Sequence, residues 1–147
     1  MEKTTKKREN RNLDRGVFRV VMLGIIFDPK TRRILIGRRE KDPYIKELSW
    51  VFPGGKLNHN ETAEQGVIRE MKEETGLKIA DLGTIFSKIP QEDNSLLLIY
   101  HLCEAIGGKE KPSGDLKELK WVSPDKLEKY FTTSFHPKLK EYILNLK

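Results

Sequence analysis

"GGKLNHNETAEQGVIREMKEETGL", residues 54–77, contains a helix whose charges run the wrong way. The macrodipole favours acids in the first turn of a helix and bases in the last. Here Glu70, Glu73 and Glu74 crowd the C-terminal end, just ahead of Gly76, which reads as the stop. Thr62 with Gln65 three residues later has the form of a capping box, so both ends of the helix are signalled. At about 100° per residue the three glutamates fall within an arc of about 100° together with Gly66, beside an apolar arc of Ala63, Val67, Ile68 and Met71. One face can pack on a sheet while the adjacent edge presents carboxylates. Like charges one turn apart each cost a few tenths of a kcal/mol. Two readings of the edge follow. It is a solvated acidic face partly neutralised by Arg69 and Lys72, or it is a set of oxygen ligands for a hard divalent cation, which would reverse the sign of the repulsion.

Outward from the helix, the pattern is one of strands. "FRVVMLGIIFD" reads as a buried strand with Gly24 as a bulge or a point of close approach, and "DPKTRR" as a turn into "ILIGRR", giving a hairpin. "SWVF" is a short strand, and "PGGK" supplies a sharp bend before the helix. Beyond it, "LGTIFSKI", "SLLLIYHLCEA" and "KELKWV" are strands separated by the loops "PQEDN" and "IGGKEKPSGD". Pro124 opens a second helix and Pro137, preceded by His136, a third. This order predicts an α/β fold, a mixed sheet with helices packed on its faces.

A chain of 147 residues supports one core, here residues 17–147, preceded by a flexible basic tail, residues 1–16. The tail holds six bases and three acids, a net +3 that is half of the overall +6. It reads as solvated, and RNA is the partner it would favour if it has one. No run approaches the roughly 18 apolar residues that cross a bilayer, and the N-terminus lacks the apolar centre of a signal peptide, so a cytoplasmic protein without a membrane partner is expected. Cys103, the lone cysteine, sits in an apolar stretch and reads as a small buried hydrophobe. His59, His101 and His136 show no ligand spacing.

Gly55, Glu61 after five residues, and "REMKEETGL" after seven more match G-x5-E-x7-R-E-U-x-E-E-x-G-U at every fixed position over 23 residues, with Met71 and Leu77 as the bulky aliphatic U. The chain thereby resembles the Nudix (MutT-like) hydrolases. "WVFPGGK" and "WVSPDKL" are similar to that family's habits, and the likeness covers residues 17–131, short of the last helix. It implies an α/β/α sandwich and a Mg²⁺-dependent attack of water on the diphosphate linkage of a nucleoside diphosphate derivative, with Mn²⁺ as a substitute. It implies that Glu70, Glu73 and Glu74 are metal ligands with Gly55, that one of them or Glu61 activates water, and that Arg69 positions a glutamate. Gly54 and Gly55 would bring the backbone to the phosphates. A further acidic ligand from outside the motif would be Glu92, Asp93, Asp115 or Glu118, with Glu118 preferred. Arg38 and Arg39 resemble arginines that grip substrate phosphate.

Secondary signatures of NADH, coenzyme A and diadenosine polyphosphate hydrolases are absent, and Pro90 narrowly misses a position seen in ADP-ribose diphosphatases. The closest likeness is to short MutT-like nucleoside triphosphate diphosphatases. Phe135 falls where some of these carry a base-reading carboxamide, and a phenyl ring can stack but cannot read a hydrogen-bonding edge. Tyr44, Trp50, Tyr130 and Phe131 are other stacking candidates. The expected partner is a small-molecule nucleotide, with an ADP-ribose or nucleotide-sugar substrate, an RNA 5′ end, or a silent ligand-binding regulator as alternatives, and a homodimer left open.

Overall fold

Each strand of the first hairpin is apolar where it must be buried, and Asp28 turns the chain between them. β1 (Arg19–Asp28) and β2 (Arg33–Arg39) pair antiparallel through Phe27 with Ile34 and Asp28 with Arg33. The Asp28 carboxylate accepts from the Lys30 N–H at 3.0 Å and the Thr31 hydroxyl at 3.1 Å, a side-chain substitute for a backbone turn. The computed structural model describes residues 16–40, 49–132 and 135–146. Residues 1–15 of the basic tail, and Tyr44, lie outside the described residues.

The chain continues through β3 (Trp50–Val51), β4 (Gly54–Lys56), α1 (Ala63–Thr75), β5 (Leu77–Lys88), β6 (Leu96–Gly108) and β7 (Leu116–Val122). A 3₁₀ turn (Pro124–Lys126), α2 (Leu127–Tyr130) and α3 (Pro137–Leu144) close it. The sheet runs β3-β2-β1-β6-β5, with β4 added to β1 and β7 to β2. β1 and β6 are parallel and the other pairs antiparallel, which makes the sheet mixed as expected.

Alternation along β1 sends side chains to two cores. Met22 and Ile26 lie beneath α1 with Val67 and Met71. Ile25 and Phe27 meet Leu127 of α2 and Leu139 and Ile143 of α3 on the opposite face. The result is an α/β/α sandwich. Each fully buried aliphatic or methionine contributes roughly 1.5–3 kcal/mol. Gly24 is a point of close approach rather than a bulge, because a Cβ there would strike the Met71 thioether. Cys103 is buried, and burial pushes its thiol up to about 12, which removes it from thiolate chemistry.

Three boundaries differ from the sequence expectation. The "PGGK" bend is itself a strand, β4, whose Gly54 and Gly55 pair with Leu23 and Met22 of β1. β5 begins at Leu77, directly after the helix stop, and β6 runs on to Gly108, so the two form a long ribbon with three register shifts. Both capping bonds of α1 are present, Gln65 N–H to Thr62 Oγ1 at 3.1 Å and Thr62 N–H to Gln65 Oε1 at 2.9 Å. Gly76 adopts the left-handed φ of 76° that a C-terminal cap requires. His136 starts α3, its Nδ1 accepting from the Lys138 N–H at 3.1 Å.

Candidate active site

Burying Val67 and Met71 on the sheet fixes the rotation of α1, and that rotation turns its acid edge toward β4. Glu70 and Glu74 are each only 8 % exposed, while Glu73 faces solvent. Arg69 lies among the acids as their shared counter-charge. Its Nε and Nη2 reach Glu61 at 2.7 and 2.9 Å, a bidentate fork, and its Nη1 reaches Glu70 at 2.8 Å and Glu73 at 3.2 Å. Nη2 also donates to the Lys56 carbonyl at 3.0 Å, tying the helix to β4. Glu61 additionally accepts from the Asn58 N–H, and the Arg69 fork above all holds its carboxyl down at about 2.

Glu74 lies apart from that clamp. Its carboxylate accepts from the Gly54 N–H at 3.2 Å, and burial pushes its pKa up to about 8 against the pull of that hydrogen bond. Glu70 is also raised, by burial first, with Arg69 opposing. Gly55 faces Glu70 so closely that a Cβ would overlap both carboxylate oxygens, so any side chain there would push that carboxylate aside.

These groups open onto a cavity of about 540 Å³. Gly54, Gly55, Glu70, Glu73 and Glu74 form one end, with Arg39 and Asp115, which are 3.6 Å apart, beside them. Trp50, Phe52, Phe131, Phe135 and Tyr100 form an aromatic wall, in which Phe131 meets Phe52 and Phe135 edge-on at 5.0 and 5.5 Å. Lys88, Pro90 and Glu92 line the cavity from the end of β5 and the loop after it.

The structure thus gathers Gly54, Gly55, Glu70, Glu73, Glu74, Arg39 and Phe135 around one cavity, with Arg69 joined to Glu70 and Glu73 beside it and Glu61 held by Arg69. It does not bring Arg38 and Glu118 there. They face each other across β2 and β7 in an ion pair of 3.1 Å, with Glu118 51 % exposed and Arg38 also on Glu40. The acid outside the motif that does border the cavity beside Glu74 is Asp115, and Glu92 borders it from the β5–β6 loop. Asp93 is engaged elsewhere, by Arg19 at 2.7 Å and by Ser95. Tyr130 packs on Trp50 behind the aromatic wall. Lys88 escaped the sequence reading; its signal was a lysine near the end of the strand "LGTIFSKI", directly after the apolar Ile85 and Phe86 and Ser87.

The donor set suits a hard divalent cation. Every side chain of the acid edge offers oxygen, Gly55 leaves room where a Cβ would intrude, and a buried carboxylate at Glu74 gains most from a positive partner. Among the described residues no three ligating side chains already converge on one point, because Glu70 and Glu73 turn to Arg69 and Glu74 to Gly54.

The sequence model of the NUDIX domain matches residues 17–143, which takes in most of α3, a segment the motif-based likeness had left out. The chain is 34 % identical over 114 residues to an ADP-ribose pyrophosphatase of Methanocaldococcus jannaschii, a match over 75 % of this chain and 64 % of that protein. It is 32 % identical over 111 residues to an 8-oxo-dGTP diphosphatase of Escherichia coli, covering 71 % of this chain and 84 % of that one. The chain therefore spans just under two thirds of the length of the first of these relatives. A solved NUDIX hydrolase from Nitrosomonas europaea superposes with a TM-score of 0.71 at 20 % identity, over 87 % of this chain and 71 % of that one. A MutT protein from Methanosarcina mazei does so with 0.68 at 24 % identity, over 86 % and 93 %. These two likenesses speak for the fold, whereas the match over residues 17–143 speaks for descent. The chain belongs to the NUDIX domain family.

Proposed function

We propose that the protein is a Mg²⁺-dependent diphosphohydrolase that cleaves a nucleoside diphosphate derivative, most specifically a nucleoside triphosphate, to the monophosphate. The observation that carries this reading is the position of Glu70, Glu73 and Glu74 at one end of a cavity that also carries an aromatic wall. Charge is concentrated where a diphosphate would lie, and flat apolar surface where a base would lie. The two named relatives act on an ADP-ribose and on an oxidised deoxyguanosine triphosphate by name, both nucleoside diphosphate derivatives.

Glu70, Glu73 and Glu74 would hold the cation with the Gly55 backbone, and Asp115 is better placed than Glu118 to complete the set. The chemistry such a cation would supply is positive charge against the diphosphate oxygens and a lowered pKa for the attacking water. Glu61 is taken up by the bidentate Arg69 fork, which also holds its carboxyl down at about 2, so it would act by positioning Arg69. Arg39 borders the same end and offers a guanidinium to the phosphates, a role Arg38 is not placed to share.

The test is a substrate panel of nucleoside triphosphates, ADP-ribose, nucleotide sugars and 5′-triphosphorylated RNA, each with Mg²⁺, Mn²⁺ or EDTA. Metal-dependent release of a nucleoside monophosphate and pyrophosphate from triphosphates is the expected product pattern. No metal-dependent cleavage of any member would overturn the proposal and favour a binding protein. Gly55→Ala offers an independent check. The added methyl displaces the Glu70 carboxylate by the order of an ångström, and turnover is expected to fall about 100-fold or more while the circular dichroism spectrum stays that of the wild type.

A further inference from the structure

The phenyl rings of the aromatic wall, Phe52, Phe131 and Phe135, can stack a base but cannot choose among bases, because a phenyl ring presents no donor or acceptor in the base plane. Phe135, at the position suspected of base reading, is such a ring. The polar groups that can choose lie elsewhere in the cavity. Lys88 closes β5, and Glu92 follows it in the loop to β6. Lys88 is half-buried, and burial lowers its pKa while the nearby Glu92 carboxylate opposes that shift.

Register places Lys88 at nucleotide length from the acids. Lys56, Val21, Leu98 and Lys88 form one row across β4, β1, β6 and β5, and all four border the cavity. Three strand spacings separate the ends of that row, about 14 Å. Lys56 adjoins Gly55, and Gly55 faces Glu70. A nucleoside with its α- and β-phosphates spans that gap, with phosphates at the β4 end and the outer edge of the base at β5.

We infer that Lys88 and Glu92 set the base preference of the site and select guanine. This rests on the reading of the cavity as a nucleotide site. A lysine ammonium only donates and a carboxylate only accepts. Guanine presents the matching edge, a carbonyl at O6 beside two adjacent donors, N1–H and the N2 amino group. Glu92 takes the two donors with its two oxygens, and Lys88 donates to O6. Adenine and cytosine present a ring nitrogen lone pair beside their amino group, which a carboxylate repels. Uracil offers one N–H flanked by two carbonyls, so it keeps only part of the match.

The experiment compares kcat/KM for GTP, ATP, UTP and CTP in the wild type, Glu92→Gln and Lys88→Met, together with calorimetric binding of GMP and AMP in EDTA. Thermal melting confirms that each variant is folded. The expected result is a guanine-over-adenine preference of about tenfold or more in the wild type, for both turnover and metal-free binding, that shrinks about tenfold in Glu92→Gln and also falls in Lys88→Met. Triphosphates cleaved with no guanine preference, or with a preference that both variants retain, would overturn the inference and leave the diphosphohydrolase reading intact. GMP bound preferentially through Glu92 with no triphosphate cleaved would support the inference and overturn that reading instead.

Discussion

Glu74→Gln is expected to cut turnover about 10³-fold and, in the same protein, to raise the stability of the metal-free fold at pH 8. The two effects share one cause. Glu74 is buried, its charge is supported by the Gly54 N–H at 3.2 Å, and burial lifts its pKa to about 8 from an ordinary 4.5. A group whose folded pKa is raised stabilises the fold fully below its unfolded pKa and loses that contribution as pH rises through the folded value. Metal-free wild type should therefore lose stability between about pH 4.5 and pH 8, and Glu70, raised by burial as well, pushes the same way. The loss from Glu74 is on the order of a few kcal/mol, which for a domain of this size is a fall in Tm of about 5–10 °C. Glutamine keeps an oxygen for the Gly54 N–H and carries no charge, so the variant's melting profile should flatten over that range.

Added Mg²⁺ should raise the wild-type Tm most at the alkaline end, where the cation meets a carboxylate already free of its proton. The same addition should leave Glu74→Gln nearly unmoved, and kcat/KM should fall about 10³-fold, the equivalent of roughly 4 kcal/mol of transition-state stabilisation. Melting from pH 4.5 to 9 with and without Mg²⁺, followed by kinetics on the best substrate, checks both limbs. A variant that is inactive but no more stable than the wild type at pH 8 would show that Glu74 carries no buried charge.

The helix and its acid edge were legible in the letters because both are local. Thr62, Gln65 and Gly76 mark its ends within reach of their own backbone partners, and the acid edge follows from the 3.6-residue period. β4 was not legible, because Gly54 and Gly55 have no side chains to give a strand its alternating pattern; only pairing with Leu23 and Met22 of β1 makes them one. That Asp115 and not Glu118 borders the cavity likewise depends on a partner far along the chain. Glu118 lies opposite Arg38 in the β2–β7 register, and that pairing takes both residues away from the acid edge. Lys88 belongs to the same class, since its relation to Lys56 exists only through two intervening strands. Motif spacing finds residues that share a helix, and cross-sheet register finds those that share a cavity.

Arg69 is where stability and chemistry are coupled most tightly, and its replacement should separate them. In Arg69→Ala, Glu61, Glu70 and Glu73 lose the guanidinium that joins them, and the Lys56 carbonyl loses its donor. The side chain is 26 % exposed, so solvent screens part of the loss, and a cost of about 2–3 kcal/mol is expected at neutral pH. Glu61, held at about 2 in the wild type, should return toward its ordinary 4.5. A depressed carboxylate pKa stabilises the fold above the unfolded value and loses its effect as pH falls through the folded one. The gap in Tm between wild type and Arg69→Ala should accordingly be full above pH 4.5 and narrow between pH 4.5 and pH 2. Arg69→Lys restores a positive charge but not the fork, since one ammonium cannot span Glu61 bidentately while also holding Glu70. It is expected to recover most of the stability and little of the turnover, with kcat/KM still about 100-fold down because Glu70 is no longer held in place. Equal recovery of both in the lysine variant would mean that charge alone organises the acid edge, and that the geometry of the guanidinium has no part in it.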